Sequence, residues 1–116
     1  MRLLGFVCWD SDIGKSPPVI QVIYRWEVSP ENREAFLAAW EKTTKAIREE
    51  TKGARGSFCI TSVDRPTEVL TVAKWDELGQ WQAFVTTAKS DSMKRMHALG
   101  KQISYDAYEE IANFTV

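Results

Sequence analysis

Apolar residues alternate along 19–28. Ile20, Val22, Tyr24, Trp26 and Val28 fall on one face, while Val19 and Ile23 share the other with Gln21, Arg25 and Glu27. A period of two in β-branched and aromatic residues predicts a strand. Ser29-Pro30-Glu31 follows. Ser is a capping residue, Pro suits the first helical position, and Glu suits the positive end of the helix dipole. Phe36, Leu37, Trp40, Thr44 and Ile47 then recur at helical spacing, predicting a helix over about 31–51 that Gly53 and Gly56 end. The pattern returns to strands over 57–63 and 68–75, and the short Arg65-Pro66-Thr67 turn between them implies an antiparallel hairpin. Beyond Trp75 the period changes again. Leu78, Trp81, Val85 and Ala88 form one stripe of a helix over 76–88. Ser90-Asp91 caps a short helix over about 91–99 that Gly100 stops. The last strand runs over 103–116, with a break expected near Glu109-Glu110.

The order β-α-β-β-α-β predicts an α+β domain of ferredoxin-like type, with an antiparallel sheet and helices on one face. The opposite face still carries Val19, Ile23, Cys59, Val63, Leu70 or its neighbours, and Ile111. Strands apolar on both faces need cover on both. A second copy of the same sheet across a two-fold axis is the simplest cover, so a homodimer is expected. Residues 1–18 end in Ser16-Pro17-Pro18, a stiff joint that sets an N-terminal extension apart from a 19–116 domain. Residues 3–9 fit either an extra strand or an arm laid on a partner.

Composition narrows the classes. At 116 residues the chain makes one domain. A net charge of −1 with scattered basic residues leaves no electrostatic footprint for nucleic acid. No apolar run approaches the roughly 20 residues needed to span a bilayer. The apolar start, Met1 to Trp9, is too short for a secretory signal, and Asp10 and Asp12 follow it closely. Cys8 and Cys59 lie far apart in no ligand-like spacing, as expected of reduced thiols in a cytoplasmic protein. One histidine, His97, excludes a multi-histidine metal site within the chain.

Five Trp, five Phe and three Tyr are a heavy aromatic load. Tyr24, Trp26, Trp40, Phe58, Trp75, Trp81 and Phe84 come from the elements that border the space between helices and sheet. They suit either a core or a pocket for a flat aromatic ligand. Histidine is the side chain suited to proton transfer near neutral pH. His97 follows Met93 and Met96 on the short helix, so it is a candidate general base at a pocket rim. Gly53-Ala54-Arg55-Gly56 precedes a strand and lacks phosphate-loop spacing. Glu109 and Glu110, adjacent on a strand, point to opposite faces and do not make a carboxylate pair.

Three segments carry a family resemblance. IQVIYRWEVSPENREAF (20–36), KGARGSFCIT (52–61) and VLTVAKWDELGQWQAF (69–84) resemble the antibiotic biosynthesis monooxygenase family. The terminal YEEIANFTV is similar to its last strand. The most recognisable piece is a strand ending in Trp75, followed at once by an acidic helix start. The resemblance implies a dimeric α/β barrel with one pocket per subunit. It also implies oxygenation of a small electron-rich aromatic substrate, such as an anthrone or quinol, by O₂ with no metal or flavin. On that footing Tyr24 and His97 are the candidate catalytic residues. Trp26, Trp40, Phe58, Trp75, Trp81 and Phe84 are the candidate substrate contacts. Heme-degrading relatives use an Asn, a Trp and a His. KSDSMKRMH (89–97) is similar to their His segment, but Tyr24 and Phe84 stand at the Asn and Trp positions. Heme binding is therefore the alternative, with a non-enzymatic small-molecule-binding dimer as the third reading.

Overall fold

Every second residue of the first strand faces the helices. The computed structural model describes residues 18–87 and 90–115. The elements are β1 (Ile20–Glu27), α1 (Arg33–Glu50), β2 (Ala54–Thr61), β3 (Glu68–Trp75), α2 (Leu78–Thr87), α3 (Asp91–Leu99) and β4 (Lys101–Glu109), with a 3₁₀ turn at Pro30–Asn32. The sheet order is β2-β3-β1-β4, all neighbours antiparallel. This is the expected ferredoxin-like arrangement, with three helices on one face. Residues 1–17 of the N-terminal extension, including Cys8, lie outside the described residues, as do Ala88, Lys89 and Val116.

Two apolar clusters hold the helices on the sheet. Trp26, Val28, Phe36, Ala39, Val69 and Met96 join β1 and β3 to α1 and α3 at one end. Ile20, Val22, Trp75 and Trp81 join them to α2 at the other. The alternation of β1 supplies both clusters, and Tyr24, between them, packs against each. Trp75 ends β3 almost fully buried against Phe84, with ring centroids 5.3 Å apart. The Asp76 backbone N–H donates to Gly53 O at 2.8 Å, tying the strand–helix junction to the α1–β2 turn. Gly53 has φ +92°, a left-handed conformation that glycine adopts without strain.

Several boundaries shift, each for a local reason. Ser29 makes no side-chain cap, because the chain first closes a 3₁₀ turn in which Asn32 N–H donates to the Ser29 carbonyl. Ser90 does cap α3, accepting from Met93 N–H at 3.1 Å. Gly56 does not end α1. It sits inside β2 at φ +92°, where the pairing with β3 slips between Ala54 and Ser57. β2 therefore starts at residue 54. After the slip, Ser57 and Cys59 face the helices and Phe58 and Ile60 face away, so Cys59 is not on the open face as expected. Val63 and Ile111 are 95% exposed, lying beyond the ends of β2 and β4, so neither builds that face. β4 ends at Glu109, and 110–115 carry no strand. Leu78 is exposed at the start of α2, and Trp81 is the buried residue of that helix, with Phe84 packed beside it.

Gly100 passes directly over the first cluster. A Cβ there would lie 2.8 Å from Val28 Cγ2 and 3.2 Å from Phe36 Cε1. Both neighbours are fully buried and have no room to retreat. Gly100→Ala is expected to destabilise the domain by about 1–3 kcal/mol. Urea unfolding at fixed protein concentration checks this, and an unchanged midpoint would refute the close packing.

Candidate functional site

Tyr24 is only half covered by the helices. The two clusters meet its edges, Trp81 of α2 reaches its hydroxyl, and a cavity of about 320 Å³ opens over the rest. Its floor is β1, β2 and β3, carrying Tyr24, Trp26, Ser57, Thr71, Ala73 and Trp75. Its walls are Trp40, Thr44 and Ile47 from α1, Phe84 and Val85 from α2, and Met93, Met96 and His97 from α3. Gln102 and Tyr105 of β4 close one side. The size and the mainly apolar lining with few polar groups suit a small, flat organic molecule.

Six of the eight residues named from sequence meet here: Tyr24, Trp26, Trp40, Trp75, Phe84 and His97. Two do not line the cavity. Phe58 points to the opposite face of the sheet and is 45% exposed, because the slip at Gly56 sets the alternation that follows it. Trp81 is buried in the second cluster, and its indole Nε1 donates to the Tyr24 hydroxyl at 3.0 Å. Ser57, Thr71, Gln102 and Tyr105 were not anticipated, and Thr44 was read only as part of the α1 stripe. Small hydroxyl and amide side chains carry no periodic signal, so only the register between strands could have found them.

The polar atoms are fixed by the aromatic ones. Trp40 Nε1 donates to Ser57 Oγ at 3.0 Å, and Thr44 Oγ1 donates to the same oxygen at 3.1 Å. Trp26 Nε1 donates to Thr71 Oγ1 at 3.2 Å. The His97 ring packs 5.1 Å from the Trp26 ring, tilted by 55°, and the residue is exposed, which puts it at the rim. Tyr105 faces Tyr24 at 5.8 Å and Trp81 at 5.9 Å. Burial pushes the Tyr24 phenol above its ordinary value, the Trp81 hydrogen bond works the other way, and Tyr105 raises it further. Tyr24 is therefore a neutral hydrogen-bond donor at physiological pH, not a base. Among the described residues no carboxylate lines the cavity, and no three His, Cys, Asp or Glu groups converge to hold a metal ion. No helix among them is long and apolar enough to cross a membrane.

A family model described as antibiotic biosynthesis monooxygenase matches residues 19–99. A comparison with curated proteins returns no match. Among solved structures, a single-site variant of SnoaB, a cofactor-independent oxygenase from Streptomyces nogalater, superposes with a TM-score of 0.69 at 12% identity. The match covers 84% of this chain and 97% of that one. A conserved protein of unknown function from Bacteroides thetaiotaomicron gives 0.67 at 18% identity, over 82% of this chain and 100% of that one. A candidate antibiotic biosynthesis monooxygenase from Deinococcus radiodurans gives 0.65 at 17% identity, over 84% and 97%. Identities this low show a shared fold.

The raised Tyr24 phenol has a consequence for stability. Below about pH 10 an unfolded tyrosine stays protonated and the buried phenol's contribution is fully present. Above that pH the unfolded chain ionises more readily than the folded one, so stability is lost as pH climbs. Denaturant titrations at about pH 8 and about pH 11 are expected to show a smaller alkaline loss in Tyr24→Phe than in the unaltered protein. Equal losses would show that Tyr24 is not held neutral by its surroundings.

Proposed function

Because the chain belongs to the antibiotic biosynthesis monooxygenase family, we propose that it is a monooxygenase. In this reading it oxidises a small, flat, electron-rich aromatic substrate of quinol or anthrone type with O₂, without a resident cofactor, as a cytoplasmic homodimer. The observation that carries the reading is the aromatic cavity with a neutral Tyr24 hydroxyl inside and His97 at its rim.

The substrate lies between the aromatic walls, and the family's chemistry supplies the rest. His97 takes a proton from the acidic C–H of an anthrone. The negative charge spreads onto the substrate's carbonyl oxygen, and Tyr24 donates to it. Trp81 holds that hydroxyl by its obligate donor. The anion gives one electron to O₂, and the resulting radical pair combines to a peroxide that takes up a proton. Loss of water leaves a carbonyl, so a CH₂ group and O₂ become C=O and H₂O, with the substrate as sole reductant. The apolar lining keeps water from the anion.

Heme is the second reading, favoured by one observation: His97, a side chain of the type that ligates heme iron, reaches the cavity. A heme also brings two propionates, and Lys74 is the one Lys or Arg on the described wall. The residues therefore fit a neutral aromatic better.

Oxygen uptake with a panel of anthrones and quinols tests the reaction. Turnover is expected on at least one member, falling roughly 10²-fold in Tyr24→Phe and by about 10² to 10⁴ in His97→Ala. No turnover on any member would sink the reading, and full activity in both variants would sink the assigned roles. A Soret shift with hemin that His97→Ala abolishes would select heme instead.

The homodimer rests on the open sheet face. Ile23, Phe58, Ile60, Leu70 and Val72 form an apolar centre there, with Phe58 and Ile60 nearly half exposed. Arg25 and Arg65 pair with Glu68 at its border, at 2.8 and 2.7 Å. An apolar centre with a charged rim is the anatomy of a subunit interface. Sedimentation at micromolar concentration is expected to give a dimer, which Phe58→Lys with Ile60→Lys dissociates. A monomer of the unaltered chain would end this part of the reading.

A further inference from the structure

Three of the four described tryptophans do the same thing. Trp81, Trp40 and Trp26 each point an indole N–H at the hydroxyl of a cavity residue: Tyr24, Ser57 and Thr71, at 3.0, 3.0 and 3.2 Å. The three hydroxyls stand on three adjacent strands, β1, β2 and β3, so together they cross the cavity floor. An indole N–H can only donate, and a hydroxyl has one proton to give and lone pairs to receive. Each tryptophan therefore occupies the accepting side of its hydroxyl. At Ser57 the Thr44 hydroxyl takes the second lone pair. None of the three protons has a protein acceptor among the described residues. Each is left for whatever occupies the cavity.

We propose that Ser57 and Thr71 are specificity-determining hydroxyl donors that act with Tyr24 on acceptor oxygens of the bound aromatic, with Trp26, Trp40 and Trp81 as positioning residues that fix where the hydroxyl protons point. The inference rests on the cavity being the substrate site and adds the residues that read the oxygens of its occupant. The ligand presents carbonyl or phenolate oxygens toward the sheet, not O–H or N–H groups. An acceptor placed there meets a proton already aimed at it. A hydrocarbon of the same outline leaves three buried donors unpaired, which is the costly side of hydrogen bonding.

Isothermal titration with 2,3-dimethyl-1,4-naphthoquinone and with 2,3-dimethylnaphthalene tests it on the unaltered protein. The two share a skeleton, and the methyl groups block addition of the Cys59 thiol to the quinone ring. Water expels the hydrocarbon more strongly, so without the donors it would bind the tighter of the two. The quinone is expected to bind at least about tenfold more tightly, and Ser57→Ala and Thr71→Val each to cut that ratio roughly three- to tenfold. Hydrocarbon affinity is expected to hold or rise in both variants, because a donor it leaves unpaired is gone, and this shows that the cavity survives. Trp40→Phe keeps the aromatic wall but frees a lone pair on Ser57. It is expected to lower the ratio too, with no further loss when combined with Ser57→Ala. Equal affinities in the unaltered protein, or a ratio that neither Ser57→Ala nor Thr71→Val moves, would overturn the proposal. Binding is read without turnover. Failure of oxygen uptake would leave this inference standing, and failure of the quinone preference would leave the oxygenase reading standing.

Discussion

The alternation of β1 is the constraint on which the rest depends. Its upward-facing row runs Ile20, Val22, Tyr24, Trp26. The outer members are buried by helices, Ile20 and Val22 under α2 and Trp26 under α1 and α3. The helices cannot close over the middle as well, because the bulky side chains that anchor them, Trp81 at one end and Phe36 and Met96 at the other, prop them off the sheet. The space left over Tyr24 is the cavity. Core and site are thus two outcomes of one strand, set by which upward-facing side chains a helix reaches.

The tryptophans give that space its polarity. A buried indole is mostly hydrophobic surface, but its N–H needs an acceptor. In Trp26, Trp40 and Trp81 the acceptor is a hydroxyl of the cavity floor. Satisfying the core and orienting the site are the same hydrogen bonds. Trp81 shows the division of labour: it packs with Ile20, Val22 and Trp75, and its nitrogen reaches the phenol that faces the ligand. Substitutions of such a residue reach the site without the residue touching what the site binds.

Much of the fold was legible in the sequence. The antiparallel hairpin follows from the Arg65-Pro66-Thr67 turn, the Trp75 junction from the switch of period from two to 3.6, and the α3 start from Ser90. These are local signals, governed by side chains within a few positions of one another. The site was legible as a set of aromatics, and less so as a geometry. Phe58 belongs to the other face because one glycine, Gly56, slips the register of β2 by a residue, and a one-residue slip exchanges the faces that follow. The sequence carries Gly56 plainly, but the same glycine suits a helix end, and only the paired strand distinguishes the two.

The sequence alone determined the order and type of the elements and the family, because periodicity, capping residues and turn chemistry act over short spans. The tertiary structure decided which hydroxyls face the cavity and where their protons point. Ser57 and Trp40 are 17 residues apart, Trp26 and Thr71 are 45, and Tyr24 and Trp81 are 57. A hydrogen bond between such partners exists only once strands have paired and helices have docked. For that reason Trp75, the most conspicuous residue of the chain, is a packed corner of the fold at the edge of the cavity floor, while the inconspicuous Ser57 and Thr71 supply that floor's hydroxyls.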